Sequence, residues 1–219
     1  MSPVASPQRH DHRAARRAAV ATALALLLSG TSPGAGPAAL AQQERPTSQV
    51  PTLGRPTRPD DPAPLLDFGR YFTGTWNVSW EYPESPLGPA DVADGTTSYR
   101  QVGPSTFEAS STLTNSAGAF TVKDTFEYQR TEQTITRTVV DSRGFTYTQT
   151  GSVTGDLGGQ FTIRLEGKPF THQGQTVRVN AVMRLLSPFN FRVQFTLSTG
   201  DGPFTNFGNP WWRKETAPR

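Results

Sequence analysis

The stretch FTVKDTFEYQRTEQTITRTVVDSRGFTYTQT, residues 120–150, decides the fold. Read in steps of two, Phe120, Val122, Asp124, Phe126 and Tyr128 share a face, with Thr121, Lys123, Thr125, Glu127 and Gln129 on the other. Ile135, Arg137 and Val139 likewise oppose Thr134, Thr136 and Thr138, and Phe145 and Tyr147 oppose Thr146 and Thr148. Aromatic and β-branched residues at a period of two are the pattern of a half-buried strand. The gap at Thr131-Glu132 is short enough for a hairpin. Asp141-Ser142-Arg143-Gly144 suits a second one, with Gly144 in the left-handed conformation.

The same texture extends in both directions. Trp76, Val78, Trp80 and Tyr82 alternate with polar residues, as do Phe107, Ala109, Ser111 and Leu113. Phe161, Ile163 and Leu165 follow; Val177, Val179, Ala181, Met183 and Leu185 then precede Phe189, Phe191, Val193, Phe195 and Leu197. Clusters of Gly, Asn, Asp and Pro interrupt these runs roughly every 10–15 residues, the punctuation of all-β chains. Before the first strand, Asp67 to Phe72 reads as one or two turns of helix after Pro64. The expectation is an all-β, antiparallel up-and-down barrel of about nine or ten strands with a short N-terminal helical turn. Closure would remove the exposed sheet edges. A two-sheet Greek-key sandwich is the alternative, and the short loops count against it.

Composition narrows the function classes. The chain has 219 residues, 34% of them hydrophobic, no Cys, and 21 basic against 18 acidic residues. The absence of Cys excludes a disulfide scaffold, a thiolate metal site and a Cys nucleophile. The basic excess is concentrated at the start: basic residues over His10–Arg17 precede an apolar run, Ala18–Leu28, and a small-x-small site at Ala39-Leu40-Ala41. That order is expected of a secretory signal over residues 1–41. Without Arg9, Arg13, Arg16, Arg17 and Asp11 the chain is balanced, with 17 basic and 17 acidic residues. No net basic charge then remains for phosphate neutralisation, so nucleic acid is not an expected partner. Nor is a membrane span expected after cleavage. Residues 42–64 hold six prolines and few apolar groups, the composition of a disordered leader. The expected organisation is signal 1–41, leader 42–64, barrel 65–214 and tail 215–219, in an exported, periplasmic or extracellular protein.

Gly74-Thr75-Trp76 at the first strand, just after the helical turn, resembles the Gly-x-Trp motif of the calycin group, the lipocalins and fatty-acid-binding proteins. Trp211-Trp212-Arg213-Lys214 at the end resembles the aromatic–basic closing strand of that group. The second and third lipocalin motifs are not evident, so the likeness is nearest to uncharacterised bacterial lipocalin-like families, which bring no activity with them. By this resemblance Trp76 would plug the closed end of the barrel beneath Arg213. Fatty-acid-binding relatives hold a carboxylate with interior Arg and Tyr side chains, which implies Arg100, Arg137 and Tyr147 in that role, with Asp124 fixing a guanidinium. One calycin branch, the nitrobindins, ligates haem through a His near the C-terminus, but residues 190–219 contain no His, and His172 reads as part of a polar turn. No cofactor and no metal are expected.

Physical reasoning also singles out three charged residues on otherwise apolar faces: Arg100 beside Val102, Asp124 and Arg137. The Thr131-Glu132 hairpin places Asp124 and Arg137 opposite or diagonal on one face. A charge directed into a barrel must be paired, hydrated or functional. A structural ion pair with internal water remains the alternative to a ligand clamp. The reading is therefore binding of a small apolar or amphipathic molecule, with Phe107, Phe126, Tyr147, Phe191 and Phe195 lining the pocket. Arg100 and Arg137 would meet its polar head. Two alternatives stand beside it: an extracytoplasmic enzyme using Asp124 or Glu108 as acid or base, and a cell-envelope interaction module whose barrel is filled by its own side chains. Enzyme signals are thin: no residue is assigned as catalytic, and Gly155-Asp156-Leu157-Gly158-Gly159 is turn chemistry rather than a phosphate loop. Phe204, Phe207, Trp211 and Trp212 would pack a C-terminal strand, with cover of a barrel mouth or a partner patch as the alternatives.

Overall fold

A computed structural model describes residues 58–215. The expected signal, most of the leader and the last four residues of the tail lie outside the described residues. Residues 58–64 hold only a turn, in which Arg58 N donates to Asp61 Oδ2 at 2.8 Å.

The helical turn is α1, Phe68–Phe72. Asp67 caps it, its side chain accepting from Arg70 N at 3.0 Å. The helix ends where Thr73 turns extended and Gly74 takes a φ of 122°, which a glycine adopts at little cost. Five residues cannot hold a helix by propensity alone. Phe68 and Phe72, one turn apart, are both buried and anchor it.

Twelve strands follow: β1 Gly74–Tyr82, β2 Asp91–Gln101, β3 Thr106–Asn115, β4 Gly118–Gln129, β5 Thr134–Asp141, β6 Phe145–Gly155, β7 Phe161–Gly167, β8 Phe170–His172, β9 Gln175–Ser187, β10 Asn190–Thr199, β11 Thr205–Asn206 and β12 Trp211–Lys214. Strands β1 to β7 pair in chain order, β7 pairs β9, β9 pairs β10, and β12 bridges β10 back to β1. Ten antiparallel strands therefore close a barrel, with β8 and β11 as short additions on β9 and β10. The expected all-β, up-and-down barrel with its helical turn is what the chain forms. The hairpin loops also take the expected form, with Gly144 at a φ of 100°.

Strand alternation builds the interior as the sequence pattern implies, most inward positions being apolar and most outward ones Thr or charged. Glycines permit the tight coil of the wall. A Cβ on Gly151 would lie 1.7 Å from the Arg164 carbonyl oxygen, and one on Gly95 2.0 Å from that of Thr112. Only a residue without a side chain fits these close strand approaches.

The end carrying α1 is packed solid. Phe68 meets Phe72 at 4.3 Å and Phe107 at 4.6 Å between ring centroids, and Phe72 meets Phe191 at 5.2 Å. Trp76 is fully buried, and its indole N–H donates to the Phe72 carbonyl at 2.7 Å, tying the helix to β1. The residue over the Trp76 ring is Lys214, with Nζ 5.0 Å from the centroid and donating to the Tyr71 carbonyl at 3.0 Å. This corrects the expectation for Arg213. Trp76 pairs with Lys214 across β1 and β12, so Lys214 and Trp212 turn inward while Arg213 turns out over Trp211. Trp212 instead stacks on Phe191 at 5.0 Å.

Candidate functional site

Two charged residues of the interior, Asp124 and Arg137, lie midway along the barrel. Asp124 on β4 and Arg137 on β5 are diagonal neighbours, since Asp124 pairs with Val139 and Phe126 with Arg137. Arg137 Nε donates to Asp124 Oδ1 at 2.9 Å, and Nη2 lies 2.8 Å from the same oxygen. Arg137 Nη1 donates to Gln149 Oε1 at 3.2 Å, and Gln149 Nε2 donates to the Val179 carbonyl at 2.7 Å. The guanidinium carbon lies 5.6 Å from the Phe126 centroid and 5.7 Å from that of Phe195, in reach of both ring faces. All three nitrogens of the guanidinium are thus engaged. Asp124 Oδ2 makes no hydrogen bond to a described residue, and neither do the hydroxyls of Tyr99 and Tyr147.

Burial pushes the Asp124 carboxyl above the ordinary carboxylate range, against the pull of Arg137. The pair nevertheless stays ionic at neutral pH, because a guanidinium cannot shed its proton and would otherwise stand alone in an apolar barrel. For Arg137, burial weighs against the charge; Asp124, then Tyr147 and Tyr99, more than offset it and hold the guanidinium above its usual value. The Tyr147 hydroxyl is pushed up to about 12, mainly by burial and in opposition to Arg137. It is a neutral hydrogen-bonding group at any physiological pH.

Above the pair, toward the end away from α1, lies a cavity of about 50 Å³. Its walls include Val78, Leu113, Val122, Val139 and Phe145, its floor Asp124, Arg137 and Tyr147. That volume holds on the order of three or four water molecules. Below the pair a space of about 10 Å³ lies among Tyr99, Phe126, Met183 and Phe191. A second acid–arginine pair lines the upper cavity at the rim: Arg143 Nε and Nη2 donate to Asp141 Oδ1 and Oδ2 at 2.9 and 2.8 Å, while the guanidinium covers Phe120 at 4.1 Å.

Two residues cover the mouth. Leu87 comes from the β1–β2 connection, where Ser85 and Gly88 exchange backbone hydrogen bonds of 2.9 and 3.0 Å. Phe207 follows β11 and is pinned to the wall by its N–H, which donates to the Phe195 carbonyl at 2.8 Å, and by its edge contact with Trp80. Thr97, Ser111 and Trp212 complete a polar chain on one wall, with the Trp212 indole donating to Thr97 Oγ1 at 3.2 Å and Thr97 Oγ1 lying 2.8 Å from Ser111 Oγ.

The residues expected at the site divide into three groups. Asp124, Arg137, Tyr147 and Phe195 do converge on the cavity. Phe107 packs against Phe68 of α1, and Phe126 and Phe191 border only the small lower space, so these three belong to the solid end. Arg100 is outside the barrel: its side chain is 71% exposed and pairs with Glu108, itself outward, which removes Glu108 as an interior acid or base. The physical reason lies in β2, where Thr97 and Tyr99 turn inward; Val102 lies beyond the strand end and is exposed, so it marked the wrong face. Sequence reasoning missed Gln149, Tyr99 and the Asp141–Arg143 pair. Gln149 was legible, since it stands two residues beyond Tyr147 on the same face. His172 belongs to β8 rather than to a turn, and packs edge-on against Phe145 at 5.3 Å.

Fold and site together define a closed ten-stranded antiparallel barrel, solid at the helical end and hollowed around a buried ion pair at the other. Among solved structures, the chain is similar to Rv2717c from M. tuberculosis, with a TM-score of 0.57 and 12% identity over 71% of this chain and 100% of that one. It also matches a de novo designed fluorescence-activating β-barrel at a TM-score of 0.41 and 15% identity, over 69% of this chain and 100% of that one. The redesigned barrel mFAP0, solved bound to DFHBI, matches at 0.38 and 14%, over 66% and 99%. The likeness to Rv2717c is one of fold. No protein-family model and no curated protein matches the chain.

Proposed function

We propose that this is an exported, calycin-like barrel that binds a small apolar or amphipathic molecule in its upper half. The observation that supports this reading is the Asp124–Arg137 pair with the Tyr147 hydroxyl, set at the floor of an otherwise largely apolar cavity. A core selected for stability alone gains little from a buried ion pair, because desolvation offsets most of the attraction. Convergent polar groups at one end of an apolar space are what a binding site for an amphipathic molecule requires.

Binding requires the mouth to open, since about 50 Å³ is well below the roughly 300 Å³ at which ligand pockets begin. Leu87 is the side chain that moves. Its turn is closed by its own Ser85–Gly88 bonds, whereas Phe207 is bonded to β10. The same small volume favours a second reading, a barrel filled by its own side chains and acting through its surface. Titration with 1-naphthol, followed by its fluorescence, separates the two. Saturable one-to-one binding is expected, weakened in Val139→Trp, which fills the cavity, and strengthened or accelerated in Leu87→Ala. Absence of saturable binding by both the unmodified chain and Leu87→Ala selects the filled barrel.

A further inference from the structure

Resting on that binding reading, the geometry assigns the ligand's polar end to a chemical class: a neutral hydrogen-bonding group such as a hydroxyl or amide, received by Asp124 Oδ2 and Tyr147, and not a carboxylate. Four charged side chains line the upper cavity, two of each sign, and each arginine is bonded to its own aspartate. With Arg100 outside, no interior arginine on this floor is left over for an anionic ligand. Arg137 sets each of its three nitrogens against Asp124 or Gln149, and Arg143 gives Nε and Nη2 to both oxygens of Asp141; the N–H groups left over belong to guanidiniums whose charge is already balanced by an adjacent carboxylate.

On the lining of this cavity, the acceptor and the hydroxyl without a partner among the described residues are Asp124 Oδ2 and the Tyr147 hydroxyl, each on a residue more than nine-tenths buried; the hydroxyls of Tyr99 and Tyr128, also unpartnered, lie outside that lining. A ligand hydroxyl donates to the first and accepts from the second. An amide does the same with its N–H and its carbonyl. A carboxylate has no proton to donate to Oδ2, loses its hydration, and meets a second negative charge that shares the one guanidinium. Thr97 and Ser111, on the adjoining strands β2 and β3, add neutral hydroxyls and no charge.

The test uses three probes of one ring system at neutral pH on the full chain: 1-naphthol, 1-naphthamide and 1-naphthoate. The amide is a near isostere of the carboxylate, so the comparison isolates charge. The naphthol and the amide are expected to bind at least tenfold more tightly than the carboxylate. In Asp124→Asn, which leaves Arg137 unpaired, the carboxylate is expected to gain at least tenfold and overtake the amide. Equal or tighter binding of 1-naphthoate by the unmodified chain overturns the assignment and leaves the binding reading standing. Failure of all three probes, with Leu87→Ala as well, overturns both. Should Asp124→Asn not fold, the amide–carboxylate ratio in the unmodified chain decides alone.

Discussion

Replacing the interior ion pair by apolar residues separates a structural role from a recognition role. At 2.8 Å and an effective dielectric constant near 20, the attraction between Arg137 and Asp124 is about 6 kcal/mol. Desolvating each ion costs several kcal/mol, so the pair contributes close to nothing relative to a well-packed apolar substitute. Either partner alone is a different matter. With side chains only 10% and 6% exposed, the survivor would stand uncompensated in an apolar barrel. Arg137→Met and Asp124→Leu are each expected to destabilise by about 3–5 kcal/mol. The double variant is expected to lie within about 2 kcal/mol of the unmodified chain, the residual coming from Gln149 Oε1 losing its donor. Urea denaturation of the four proteins, followed by Trp fluorescence and far-ultraviolet circular dichroism, gives the coupling energy directly. A double variant that loses the sum of the two single losses refutes the reasoning, because the pair would then be a net stabiliser.

Three further outcomes follow from the geometry. Lys214→Ala should destabilise by about 1–2 kcal/mol, losing its bond to the Tyr71 carbonyl and its place over Trp76, whereas the outward Arg213→Ala should stay within about 0.5 kcal/mol in the same denaturation assay. Gly151→Ala should cost more than about 3 kcal/mol or abolish folding, since its Cβ would meet the Arg164 carbonyl; a thermal melt near that of the unmodified chain would contradict this. The Tyr147 hydroxyl titrates higher in the folded chain than in the unfolded one, so its contribution is complete below pH 10 and lost as pH rises toward about 12. The loss amounts to about 3 kcal/mol for a rise of about two units, and Tyr147→Phe should flatten the alkaline limb of a stability–pH profile accordingly.

Most of the barrel was legible because its signal is local. Two-residue periodicity names the inward face of each strand without reference to any other strand, and it placed Asp124, Arg137 and Tyr147 correctly. The errors fall where facing depends on a distant partner or on a strand end. The inward choice between Arg213 and Lys214 is made by pairing with Trp76, at the opposite end of the barrel sequence. The polar strand β2 offers few apolar markers, and Val102, beyond its end, misled the reading of Arg100. Leu87 sits in a connection with no periodicity, so its place over the mouth had no local signal. The closeness of the packing around the cavity is a property of the whole set of side chains, and no single stretch encodes it.

A buried pair that recognises a ligand and is dispensable for the fold is told from a structural one by the affinity of Asp124→Leu/Arg137→Met for 1-naphthol, measured on protein whose unfolding transition matches that of the unmodified chain. A loss of at least tenfold in affinity, with stability retained, is the predicted result. Unchanged affinity in a stable double variant would contradict the account.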